Sequence, residues 1–158
     1  MKNLIIVIIG ALVVFFVVSK VSPKKEIPVI EDGGIVVPAE IKLMSEKGIE
    51  IFVDTPKEGD SITSPLILHG RAPGNWFFEA SAPITLTNWD GLIIAEGYIQ
   101  AEGEWMTTDY VPFYGTLDFV NTPCEADYCH RGFLILRKDN PSGESQFDDS
   151  AELTIKFK

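Results

Sequence analysis

The sequence predicts an antiparallel β-sandwich of about seven strands, placed behind one N-terminal membrane-length apolar segment. Three observations predict it. Between Ile49 and Lys158, apolar and polar residues alternate with a period of two, in short runs separated by turn-forming residues. No convincing helical stripe interrupts that stretch. Finally, Leu4 to Val18 is a run of fifteen apolar residues, and nothing like it recurs in the 158-residue chain.

That run comes first in the chain. As a helix it spans roughly 22 Å, short of the ~30 Å hydrocarbon core of a bilayer. Extension from Asn3 through Ser19 and Lys20 to Val21 narrows the gap, because a lysine stem snorkels. Residues 1–21 are therefore expected to be a transmembrane anchor. The alternative is a secretory signal peptide with Lys2 as its n-region and a cut after Ser19. Val17 and Ser19 are small enough for such a cut, but no Ala-x-Ala stands there, and no cysteine nearby would take a lipid. The expected location is the cell membrane, single-pass, with the C-terminal domain extracytoplasmic; the alternative is secretion after cleavage.

Residues 22–48 read as a tether, with Pro23, Pro28, Pro38, Gly33 and Gly34 among mixed charges. A coil of that length has a relaxed span of about 30 Å. Ala39 to Lys47 has the makings of two helical turns stopped by Gly48, although so short a helix is marginal alone.

The domain expected over 49–158 starts with Ile49, Ile51 and Val53 on one face of a strand, opposite Glu50. Pro56 to Asp60 is turn chemistry, and Leu66 to Gly70 follows as an apolar strand. Ile84 and Leu86 alternate with Thr85 and Thr87, and Asn88-Trp89-Asp90-Gly91 makes a tight hairpin turn ending in Asp-Gly. Leu92 to Ile99 returns as the partner strand, with a register left open because both faces carry apolar residues. Val111 to Phe119 alternates next. Phe133 to Leu136 is continuously apolar, as in a central strand, and Leu153, Ile155 and Phe157 alternate to the end.

The chain has a formal net charge of −10, and residues 21–158 keep 11 basic against 23 acidic groups, a net of −12. Such a body is a poor partner for nucleic acid and for anionic surfaces, which need basic patches. Acidity also keeps an exported domain soluble. In an oxidising compartment, Cys124 and Cys129 read as one disulfide, stabilising by roughly 2 kcal/mol on the chain-entropy model.

Several segments carry a resemblance. They are Ile51 to Pro56 with Gly59, Ser64-Pro65-Leu66, and Gly70-Arg71-Ala72-Pro73-Gly74-Asn75-Trp76-Phe77-Phe78-Glu79-Ala80. Asn88 to Gly91, Glu104-Trp105-Met106-Thr107, Val111-Pro112-Phe113 and Lys138 to Gly143 follow in order. Over about 49–158 the chain resembles the immunoglobulin-like domain of bacterial spore germination. The resemblance implies an immunoglobulin-like sandwich that is extracytoplasmic and non-catalytic, found on lipoproteins or single-pass proteins. It brings no catalytic residues and no defined ligand.

Nor do the residues themselves assemble a catalyst. A hydrolase needs a nucleophile, a base and a group orienting the base, and only His69 and His130 offer imidazole. His69 sits in an apolar strand, where a hydrogen-bonded structural role is usual. His130 follows Cys129 in a cluster with Cys124 and Asp127 that offers four metal ligands, yet there is no second Cys/His pair, and export favours the disulfide. Glu102 with Glu104, and Asp148 with Asp149, read as adjacent acids on solvent loops; glycosidase chemistry needs carboxyls facing across a cleft. No cofactor, metal site or calcium loop is expected.

The binding candidates are Trp76, Glu79, Trp89 and Trp105. Parity carried back from Leu86 and Ile84 through Ala82 and Ala80 turns Phe78 inward and Glu79 outward, where Arg71 on the preceding segment would pair with it. The three tryptophans sit in or beside turns. They either cover the sandwich ends or stack on a sugar or a partner, with Trp89 at a hairpin tip the best exposed. The expectation is a membrane-tethered, non-catalytic domain binding an unidentified envelope protein or serving as a structural element. A wall-glycan-binding module using Trp76, Trp89 and Trp105 is the alternative.

Overall fold

The computed structural model describes residues 40–120 and 126–158. The membrane segment expected over 1–21, the tether up to residue 39, and Cys124 lie outside the described residues. Within them no α-helix occurs, and no helix is long and apolar enough to cross a membrane.

Among the described residues, nine strands form one curled sheet: β1 (Ile41–Met44), β2 (Glu50–Thr55), β3 (Ser61–Ile62), β4 (Leu66–Pro73), β5 (Ser81–Asn88), β6 (Ile93–Ala101), β7 (Tyr110–Leu117), β8 (Arg131–Arg137) and β9 (Ser150–Phe157). Their order is β1-β2-β4-β7-β6-β5-β8-β9-β3. All pairs are antiparallel except β3 with β9. The two halves are joined by a short β6–β7 ladder, Ile99 opposite Gly115 through Ala101 opposite Phe113. The curl then brings β1 back beside the start of β9, where the Glu46 N–H donates to the Ser150 carbonyl at 2.9 Å.

Two strands exceed the expected seven. β1 replaces the helical turns anticipated over Ala39 to Lys47: Ile41 to Met44 hydrogen-bonds to Val53 through Glu50. A two-turn helix is too short to hold itself, whereas β2 offers a full edge. β3 is only two residues long and comes from the turn-rich stretch after Pro56.

Alternation is translated directly into burial. Ile51 and Val53 of β2, Leu68 of β4, Ile84 and Leu86 of β5, Leu134 and Leu136 of β8, and Leu153 and Ile155 of β9 fill the interior around Phe113 and Trp76. The β6 register, open in the sequence, resolves with Ile99 inside and Tyr98 outside. Gly70 is where two walls meet: a Cβ there would strike the Phe52 carbonyl oxygen and the Phe113 ring, 2.6 Å away.

The loops fall at two ends. One end gathers the β1–β2 turn (45–49), the β4–β5 connection (74–80), the β6–β7 loop (102–109) and the β8–β9 loop (138–149). The other gathers 56–65, the β5–β6 turn (89–92), the described parts of the β7–β8 connection (118–120 and 126–130) and the end of β9.

Candidate binding surface

The three tryptophans do not share a surface. Trp76 and Trp105 lie at the end holding 74–80 and 102–109, while Trp89 lies at the other. β6 alone separates them, nine residues or roughly 30 Å.

Trp76 is 1% exposed and belongs to the core. It closes its end of the interior, and its carbonyl accepts the Asp139 N–H at 2.9 Å. Trp105 is half-buried against that core. Its loop lies over Gly74 so closely that a Cβ there would meet the carbonyl oxygens of Trp105 and Thr107. Gly74, Asn75 and the 105–108 segment border a shallow depression beside it.

Trp89 is different. Asn88 builds its turn: the Asn88 carbonyl accepts the Gly91 N–H at 3.1 Å. Its side-chain Oδ1 accepts the N–H groups of Asp90 at 3.0 Å and Leu92 at 2.9 Å. Gly91 takes the left-handed conformation, φ 77°, that lets the strand resume. The turn holds Trp89 at 45% exposure, edge-to-face with Tyr128, ring centroids 4.8 Å apart. Tyr128 is 58% exposed, and Leu92 and Ile93 of the same hairpin are 63% and 51% exposed. Sequence reasoning singled out Trp89 and missed its partner, because nothing in the sequence brings residue 128 beside residue 89.

Glu79 does not pair with Arg71. Phe78 and Ser81 exchange both backbone hydrogen bonds at 3.0 Å, leaving Glu79 (φ 50°) and Ala80 (φ 61°) as the two central residues of a tight turn. That turn resets the strand parity. Phe77 is therefore inside, at 3% exposed, and Phe78 outside, at 42%, the reverse of the expectation. Arg71 instead grips Glu40 through Nη2–Oε2 at 2.6 Å and Nε–Oε1 at 3.2 Å. Its guanidinium lies 3.8 Å above the Phe52 ring, with Tyr110 alongside. The Arg71 hydrogen bonds hold the Glu40 carboxyl below the usual carboxylate range, and the same contacts raise Arg71 further.

His69 is exposed on the outer face of β4, opposite Thr55 and Tyr114, and so is not a core residue. His130 is exposed beside Cys129, which is buried. Asp148 and Asp149 are not two solvent acids: Asp148 is exposed, whereas Asp149 is 5% exposed. It accepts the Ser45 hydroxyl at 2.8 Å and the N–H groups of Lys47 and Ser150 at 3.1 and 3.0 Å. Its oxygens are thus committed to structure. Among the described residues, no group of three or more His, Cys, Asp or Glu is placed to hold a metal ion.

A curled β-sheet carrying these motifs matches one family model, the immunoglobulin-like domain of bacterial spore germination, over residues 50–141. The chain belongs to that family. The comparisons with curated proteins and with solved structures gave no match. The germination-domain match covers β2 to β8 and the start of the following loop; β1 and β9 lie outside it. The outlying pair is what Ser45 and Asp149 lock together.

Proposed function

We propose that this germination-family domain is a non-catalytic binding or structural module of the bacterial cell envelope, tethered to the membrane on its extracytoplasmic side by residues 1–21. One observation supports binding most: the half-exposed Trp89–Tyr128 pair, held on a hairpin whose backbone is fixed by Asn88. Exposed aromatic side chains lose little entropy on contact and offer large apolar area. At the opposite end Trp76 is buried, Trp105 is half-buried and the Asp149 oxygens are hydrogen-bonded, so none of the three offers a comparable exposed surface. Cys129, buried at the foot of the loop carrying Tyr128, supports pairing with Cys124 in that compartment, which would hold Tyr128 in place.

The glycan-binding alternative narrows to Trp89 with Tyr128, because Trp76 is inside and Trp105 is at the far end. Crosslinking from position 89 of the intact chain on living cells tests the reading. Capture of one envelope protein supports a protein-binding module, and capture of wall fragments supports the glycan form. Recovery of the chain from the cytoplasm would reject both. Trapping without its first nineteen or so residues would replace the anchor with a cleaved signal.

A further inference from the structure

The four loops at the Trp105 end carry nine carboxylates and only two lysines, Lys47 and Lys138. Both lysines line the same hollow, a cavity of about 270 Å3 open to solvent. Its walls come from the β1–β2 turn, the β4–β5 connection and the β8–β9 loop. Lys47 Nζ donates to the Gln146 carbonyl and so ties the first of these loops to the third.

Donors in this hollow lack acceptors. Trp76 is 1% exposed, and its indole N–H has no hydrogen-bond partner among the described residues. Every side-chain nitrogen or oxygen there that is closed off from solvent does have one, so the Trp76 N–H reaches the hollow that its ring lines. An unpaired donor on so buried a side chain is uncommon and marks a place for an outside acceptor. Lys138 is half-buried and forms no ion pair with any described residue. The wall acceptor Asp149 is already taken, by the Ser45 hydroxyl and the N–H groups of Lys47 and Ser150.

Charge and size narrow the ligand. Lys47 and Lys138 against Asp149 leave one net positive charge, which suits a monoanion. The surrounding carboxylates oppose anything more highly charged, such as a phosphate ester. Ile49 and Phe147, 38% and 48% exposed, add an apolar rim. The volume falls just under the roughly 300 Å3 at which sites for drug-sized ligands begin, so the hollow takes the end of a chain and not its middle.

We propose that this hollow captures the carboxy-terminus of a peptide with a small apolar final residue. The terminal carboxylate accepts from Lys138 Nζ and from the Trp76 indole N–H, charge-assisted bonds that a neutral amide makes more weakly. The final side chain rests against Ile49 and Phe147. This site depends on neither the membrane tether nor the Trp89–Tyr128 pair, which lies at the other end of the domain.

The test follows the indole N–H resonances of the full chain in detergent micelles. Trp89→Phe and Trp105→Phe each remove one signal and leave that of Trp76 assigned. The native chain is titrated with N-acetyl-alanyl-alanine in its L,L and D,D forms, with the same peptides amidated at the carboxy-terminus, and with acetate. Capture predicts a saturable shift of the Trp76 signal with a free-carboxylate peptide. Affinity should fall about tenfold or more for the amide and in Lys138→Gln, and largely survive in Lys138→Arg. Native positions of the Trp89 and Trp105 signals show that each Lys138 variant is folded. Preference for the L,L peptide assigns the ligand to a protein terminus, and preference for the D,D peptide to a wall peptide; both support capture. An unmoved Trp76 signal, equal affinity for the amide, or an equal response to acetate would each overturn it. A shift confined to the Trp89 signal would also overturn it, while leaving the binding role of the Trp89–Tyr128 pair intact.

Discussion

Asp149 accepts a 2.8 Å hydrogen bond from the Ser45 hydroxyl, joining residues 104 positions apart. Ser45 Oγ in turn accepts the Ile49 N–H at 2.9 Å, so one carboxylate organises the β1–β2 turn and fixes it to the start of β9. Both strands flank the segment matched by the germination-domain model. The contact therefore closes the curled sheet from outside its family-defined part.

Removing that carboxylate should open the closure. Asp149→Ala leaves the Ser45 hydroxyl and the Lys47 N–H short of an acceptor, and buried donors left unpaired cost about 1–3 kcal/mol. Asp149→Asn should cost less, since one oxygen remains. Urea unfolding followed by tryptophan emission measures both, and midpoints equal to that of the native chain would show that water replaces the contact.

The Glu79-Ala80 turn stores strain. Left-handed backbone costs a non-glycine residue roughly 1–2 kcal/mol, and both central residues adopt it. Ala80→Gly should raise thermal stability, by about 0.5–1 kcal/mol after the added freedom of the unfolded chain is counted. A lowered melting temperature would mean that the turn tolerates its side chains without strain.

The Glu40–Arg71 pair should make stability depend on acid and salt. Glu40 titrates near 4.5 when unpaired and lower in the folded chain. The folded state therefore binds fewer protons across that interval, and stability falls as pH drops through the folded value. The contribution is fully present above 4.5. Glu40→Gln should flatten this part of the pH–stability curve, below the unpaired value of 4.5, and 1 M salt should shrink the difference between variant and native chain. A Glu40→Gln curve parallel to the native one would assign the acid sensitivity to other carboxylates.

Trp76 and Trp89 should separate stability from binding. Truncating the buried Trp76 to alanine should cost about 3–5 kcal/mol. Trp89→Ala, at an exposed hairpin tip, should shift the unfolding midpoint little, by about 0.5 kcal/mol. A Trp89 loss as large as that of Trp76 would make the Trp89–Tyr128 pair a structural prop.

Much of the fold was legible because a two-residue period maps directly onto inside and outside. Ile51, Val53, Ile84, Leu86, Leu153 and Ile155 are buried as their alternation requires. The Asn88 to Gly91 hairpin was readable for the same local reason, its hydrogen bonds all falling within five residues. What failed was local reasoning carried across an unseen turn. The parity run back from Ile84 breaks at Glu79-Ala80, where neither residue announces a left-handed conformation, and Phe77 and Phe78 exchange places. Ala39 to Lys47 looked weakly helical because its strand partner, β2, supplies hydrogen bonds that no local pattern reveals. Arg71 found Glu40 instead of Glu79 for a similar reason: β1 delivers Glu40 to the outer face of β4.

The sequence by itself determined the all-β class, the alternating core, the turn chemistry and the germination-domain motifs, since these depend on neighbours a few residues apart. Tertiary structure decided which polar groups are committed and which are available. Asp149 and Trp76 look like surface candidates in the sequence, and both are buried by segments far along the chain. Trp89 remains exposed and acquires Tyr128 as its neighbour. Burial and partnership depend on which distant loops the curled sheet gathers at each end, and that gathering is a property of the sheet as a whole.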